Sequence, residues 1–326
     1  MQIFTNANYN FIRWRWHAIG LSLLVIIAGI VQIATKGLPL GIDFAGGTNV
    51  IVKFERPVGE DQVRNAVTPV SAENVVQRYG TIGENEVLIK LPQMKAVEQG
   101  ASLEQGARQI VDALQKAGLP KFEVISREIV GPVIGAELQR KGIYATIASI
   151  IGIAIYIALR FRPSFAIGAI AATLHDVFVT LAFLAFFGYD ISLNVVAAIL
   201  TITGYSVNDT IVIFDRVREN LRLMRKDSLG HVVNLSVNQT LSRTIITAGT
   251  TFLSVLSLYL FGGEALRGFA FTMLVGIVSG TYSTVFIAAA IAIILSQRKK
   301  TPAEHRTAAT EAGPRPARKG GRARAS

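Results

Sequence analysis

Three charged side chains stand inside stretches otherwise free of charge: Asp176, Asp209 and Arg243. Ionisable groups in hydrocarbon are costly, and where they occur they mark ion or proton pathways or pair with one another. Asp209 precedes Asp215 by six residues, which sets it about 9 Å inside the charged end of a helix rising 1.5 Å per residue. Tyr205, Asn208 and Val212 share its helix face at three- to four-residue spacing. Arg243 lies five residues into the next apolar stretch, which begins near Asn238, at a similar depth. Helices joined by one loop run antiparallel, so the spacing predicts an intramembrane Asp209–Arg243 pair. Burial favours a neutral carboxyl, whereas a guanidinium a few ångströms away lowers a carboxylate pKa by about 1–3 units. Arginine does not itself deprotonate. Two roles stay open at this point: a group whose protonation follows conformation, coupling proton passage to movement, or a static pair that fixes helix packing.

His175-Asp176 falls near the middle of another apolar stretch, with Thr173 and Thr180 nearby. It extends a proton path or makes a polar contact between helices. Gly276 and Gly280 form a small-xxx-small step that favours close helix contact. The run Gly41-Ile42-Asp43-Phe44-Ala45-Gly46-Gly47-Thr48 has a phosphate-loop flavour, but no Lys-Ser/Thr follows it. It reads as a glycine turn where the chain leaves an apolar segment and enters its first strand. The absence of cysteine excludes disulfides, thiolate metal sites and a cysteine nucleophile. His17, His175, His231 and His305 are scattered, and no HExxH, Walker or Ser/His/Asp pattern occurs. No enzymatic activity, metal or cofactor is expected.

The elements that must hold these groups are membrane spans. The chain has 326 residues, of which 51% are hydrophobic and only 17% charged, against about 25% charged in a soluble protein. A span needs roughly 20 apolar residues. Six windows meet that length, so the expected class is a polytopic α-helical membrane protein with spans at 18–36, 142–160, 163–188, 191–214, 240–262 and 268–296. The remaining segments are an arm at 1–17, an external domain at 37–140, a loop at 215–238 and a basic tail at 297–326. Arginines and lysines crowd the arm, the second-to-third connection, the fourth-to-fifth connection and the tail, whereas Gly188-Tyr189-Asp190 has none. The positive-inside rule then places both termini in the cytoplasm, with the first span a retained signal-anchor and the large domain outside.

The net charge of +11 invites a nucleic-acid reading. Residues 298–326, however, carry nine Lys/Arg against two Asp/Glu, and 36–141 carry thirteen of each. Basicity is therefore mostly a tail without apolar period, which touches lipid headgroups or ribosomal RNA or is simply solvated. Within 37–140, strands at 49–54, 74–79, 86–91 and 122–129 alternate with helices at 60–70 and 102–117. The second helix repeats Leu103, Ala107, Ile110 and Leu114. The order βαββαβ is that of a ferredoxin-like α+β domain.

The glycine run, Val130-Gly131-Pro132-Val133-Ile134-Gly135, Leu174-His175-Asp176-Val177 and the block from Tyr205 to Asn220 (YSVNDTIVIFDRVREN) together resemble the SecF family. The glycine motif, with Gly41, Asp43, Gly46 and Gly47, is shared with the sister subunit SecD, whereas the fourth-span block favours SecF. The resemblance covers about Tyr9 to Leu295. It implies an RND-type half of six spans whose other half is SecD, in the cell inner membrane. It also implies association with the SecYEG channel and YajC, cooperation with SecA, and an exported unfolded polypeptide as substrate, with membrane lipid around and no nucleic acid bound. By motif position Asp209 and Arg243 are the residues that the family implicates in proton movement. The runner-up readings are a proton-driven exporter half for small molecules or lipids, and a non-conducting scaffold.

Overall fold

The computed structural model describes residues 8–72, 74–80, 83–91 and 104–297. The basic tail after 297, residues 1–7 of the arm, the tip of the 80–83 hairpin and the predicted helical start at 102–103, including Leu103, lie outside the described residues.

A 3-10 turn at Phe11–Trp14 leads into α1 (Arg15–Lys36). Next come the short α2 (Ile42–Ala45) and β1 (Gly47–Phe54), then α3 (Glu60–Val67), β2 (Val75–Tyr79) and β3 (Glu86–Leu91). The domain closes with α4 (Glu104–Lys116) and β4 (Phe122–Val130). The sheet order is β2-β3-β1-β4 with every pairing antiparallel, the ferredoxin-like arrangement that the element order predicts. Val50, Val52 and Phe54 of β1 and Val87, Ile89 and Leu91 of β3 point to one face, as period-two strands must. Ala107, Ile110 and Leu114 of α4 cover that face, so the three-to-four spacing in the sequence is the buried stripe.

Five more long helices follow: α5 (Pro132–Arg160), α6 (Pro163–Phe187), α7 (Leu193–Leu223), α8 (Leu229–Phe261) and α9 (Glu264–Ser283). The last continues through a π-helical turn at Thr284–Ala288 as far as Gln297. Among the described residues, six helices are long and apolar enough to cross a membrane. Their bounds outrun the apolar windows, because charge ends a membrane window without ending a helix. The expected loop at 215–238 is therefore mostly helix: α7 runs on to Leu223, and α8 starts after Ser228, whose hydroxyl accepts from the His231 N–H. Likewise α5 starts at Pro132, where a missing N–H costs nothing.

The final span is the centre of the bundle. Two thirds of its apolar window is buried (67%), against 11% for α5 and for α8, and it packs against α6, α7 and α8. A Cβ on Gly276 would come within 2.5 Å of Ile202, and one on Gly280 within 2.9 Å of the Ser206 Cβ. The small-residue step thus brings α9 onto α7. Leu24, Ile27 and Ile30 of α1 and Ile147, Ile151 and Ile155 of α5 stay exposed, as expected of faces that meet lipid rather than water.

Candidate functional site

Among the described residues, Asp176 is the most heavily bonded carboxylate in the bundle. It is 1% exposed, on α6, and accepts from Ser206 of α7 (2.5 Å), Ser279 of α9 (2.7 Å) and Ser283 of α9 (2.8 Å). His175 Nδ1 lies 3.0 Å from its Oδ1. A buried charge or acid is tolerated only when its lone pairs are met, and here three helices meet them. The Gly276/Gly280 approach allows this, because it sets Ser279 and Ser283, one turn apart, against α7 and α6. His175 also stacks on Tyr282, with ring centroids 6.2 Å apart. The Tyr282 hydroxyl donates to the Ala18 carbonyl at 2.6 Å and accepts from Ser22 at 3.3 Å, tying α1 to the same cluster. Sequence reasoning singled out His175 and Asp176 but not the serines. The signal for them was the i,i+4 pair straddling Gly280.

Asp209 sits one turn beyond Ser206 on α7, with a different environment. Its Oδ1 accepts from the Thr244 hydroxyl of α8 at 2.7 Å. Its Oδ2 is shielded and has no hydrogen-bond partner among the described residues. The expected direct contact with Arg243 is displaced by one residue. Successive helical residues project about 100° apart, so Thr244, buried against α7, makes the hydrogen bond, while Arg243 is exposed beside it and acts on the carboxylate through its charge without a direct bond. Tyr205 is half-buried and Asn208 exposed on the same side of α7. The opposite side, with Ser206, Thr210 and Ile213, packs into the bundle, where Thr210 and Thr284 hydroxyls meet at 2.9 Å.

The glycine run is a junction rather than a simple turn. Gly41 N–H donates to the Ile191 carbonyl (2.9 Å), Ile191 N–H to the Pro39 carbonyl (2.7 Å), and Leu193 N–H to Asp43 Oδ2 (2.9 Å). Asp43 thereby caps the start of α7, the helix that carries Asp209. Lys90 at the end of β3 pairs with Asp190 on the α6–α7 connection. Gly46 and Gly47 adopt positive φ (71° and 134°), which only glycine takes without strain. Gly135 lets α5 approach: a Cβ there would lie 3.1 Å from both Gly46 N and the Phe44 carbonyl. Loss of a cap of this kind costs about 1 kcal/mol. Asp43→Ala is therefore expected to speed amide exchange at residues 189–194, while Asp43→Asn, which keeps an acceptor, changes it less. Equal protection in both variants would show that Ser192, which also caps α7 through the Val195 N–H, is sufficient.

Comparisons with known proteins converge on these two features. The SecD/SecF GG motif matches residues 33–58, the junction. The C-terminal model of the protein export membrane proteins SecD and SecF matches residues 109–298, and so spans Asp176, Asp209 and Arg243. The chain belongs to the SecD/SecF family. Among its relatives, the protein translocase subunit SecF of Rhodothermus marinus is 42% identical over 91% of this chain and 96% of its own. That of Escherichia coli O157:H7 is 36% identical over 90% and 89%. A crystal structure of SecDF from Thermus thermophilus, titled a translocon-associated membrane protein, matches with a TM-score of 0.80 at 33% identity. The match covers 91% of this chain but 40% of that one, so the chain spans about two fifths of the solved SecDF. A SecDF structure in a super-membrane-facing form matches at 0.69 with the same identity. The arrangement of this SecD/SecF family chain is accordingly nearer to the first.

Proposed function

We propose that this chain acts as a SecF subunit of the Sec protein-export machinery. With SecD as its other half, it uses the proton-motive force to promote late, SecA-independent steps of polypeptide passage through SecYEG, with YajC associated. It resides in the cell inner membrane with both termini cytoplasmic and the sheet domain outside. It performs no bond-making chemistry of its own, in keeping with relatives named as translocase subunits.

The observation that carries this reading is the contrast between the two carboxylates. Asp176 has donors on both oxygens, as befits a fixed hub. Asp209 has one oxygen engaged and one without a partner, at the α7–α8 boundary, with a guanidinium on the neighbouring residue. Such a group accepts a proton without breaking its existing bond. Its charge then vanishes, and with it the attraction to Arg243, so the α7–α8 contact acquires two states. The Asp43 cap and the Lys90–Asp190 pair join the start of α7 to the sheet domain, giving a mechanical route from one to the other. A proton crossing 100 mV releases about 2.3 kcal/mol, enough to bias a two-state element more than tenfold.

The test is export of a secretory precursor through membranes containing SecYEG and SecD, with or without this chain, and with or without a proton gradient. A gradient that accelerates completion only when the chain is present supports the reading. An equal gradient effect in its absence removes it.

A further inference from the structure

At the end of the bundle away from the sheet domain, a cavity of about 480 Å³ opens between α5, α6 and α7. Its rim carries four arginines: Arg160 and Arg162 from the α5–α6 connection, and Arg218 and Arg222, one turn apart on α7. Arg160 is neutralised by Asp215, with contacts of 2.8 and 3.0 Å. Arg162, Arg218 and Arg222 form no ion pair among the described residues, and all three are exposed. The other nearby carboxylate, Glu219, is engaged by Arg216 at 2.6 Å. Three guanidinium charges thus converge on one cavity without a matching acid. The α6 N-terminus adds its own positive end there, since Arg162 precedes it without a side-chain cap.

The cavity wall is apolar. Its floor is closed by the buried Phe165 and Phe214, which meet edge to face at 5.1 Å, and its mouth is flanked by Phe161 and by Leu159 at the end of α5, which is 86% exposed. A soluble anion or a nucleic acid would have no use for that apolar lining. Guanidinium forks match phosphate oxygens bidentately, and basic pockets between membrane helices hold anionic headgroups.

We propose that this cavity binds the headgroup of an anionic phospholipid, the phosphodiester resting on Arg162, Arg218 and Arg222 and an acyl chain lying along Leu159 and the half-buried Phe161. The proposal does not depend on the transport reading, because it concerns neither carboxylate.

The experiment uses the full chain purified in mild detergent, with native mass spectrometry counting bound lipid during titration. Phosphatidylglycerol is expected to be retained at least tenfold better than phosphatidylcholine. R162Q/R218Q/R222Q is expected to lose that preference, whereas R315Q/R318Q/R322Q in the basic tail keeps it. Soluble glycerol phosphate is expected not to compete. Should the triple variant fail to fold, Arg218→Gln and Arg222→Gln are each expected to weaken retention about fivefold. Equal retention of the two lipids, full preference in the folded rim variants, loss through the tail variant instead, or displacement by glycerol phosphate would each overturn the site.

Discussion

Asp209→Asn will remove the gradient-dependent part of precursor export, cutting gradient stimulation at least tenfold, while leaving the subunit assembled. The substitution is close to isosteric, and the asparagine carbonyl still accepts from Thr244, whose hydroxyl lies 2.7 Å from the native oxygen. What disappears is the ability to carry a charge at one moment and a proton at the next. Arg243→Gln tests the other half of the same idea. It removes the neighbouring positive charge but, because that side chain is exposed and not bonded to Asp209, costs little in packing. It too should abolish the response, and Arg243→Lys should restore part of it. Thr244→Val separates geometry from charge: it deletes the hydrogen bond but no ionisable group, and so should lower the response less than Asp209→Asn. Export kinetics and co-purification with SecD, measured on the same membranes, decide the matter. An assembled Asp209→Asn complex with full gradient stimulation would make the α7–α8 contact purely structural.

The same two helices show what a sequence discloses and what it withholds. Apolar windows located the spans because hydrocarbon admits few charges, and strand-like runs between helices of three-to-four spacing located the sheet domain because β1 and β3 bury one face under α4. Asp209 was legible for the same reason, as a charge in the wrong solvent. Its partner was not. Depth along a helix follows from counting residues, but which of two adjacent side chains faces the neighbouring helix depends on rotation about the axis. That angle is set by packing elsewhere along α8, so Thr244 rather than Arg243 reached the carboxylate. The Asp43 cap was hidden differently: its acceptor and donor are 150 residues apart, and no local pattern links them. The serines around Asp176 were obscured by their abundance, since hydroxyls in membrane helices commonly bond to their own backbone. Ser283, which also donates to the Gly280 carbonyl, has that option as well.

That fallback sets the size of the second large effect. Asp176→Leu removes the acceptor shared by Ser206, Ser279 and Ser283 and leaves His175 Nδ1 without its carboxylate. Interhelical hydrogen bonds within membranes contribute about 0.6 kcal/mol on average and about 1.7 at most, so three of them amount to roughly 2–5 kcal/mol. Hydroxyls that retreat to their own helix recover part of this, which puts the expected loss at about 2–3 kcal/mol. The loss should appear as a lower unfolding temperature of the purified chain in detergent. Asp176→Asn keeps an acceptor, and its amide donates to hydroxyls that rotate to receive it, so it should retain most of the stability. Asp209→Asn, with its Thr244 contact kept, should unfold like wild type. The two carboxylates would then dissociate cleanly, Asp176 governing stability with little effect on gradient stimulation and Asp209 the reverse. If instead Asp176→Leu melts normally and abolishes the gradient response, Asp176 belongs to the proton path. The hydroxyl-lined route from His175 through Ser206 toward Asp209 would then become its course.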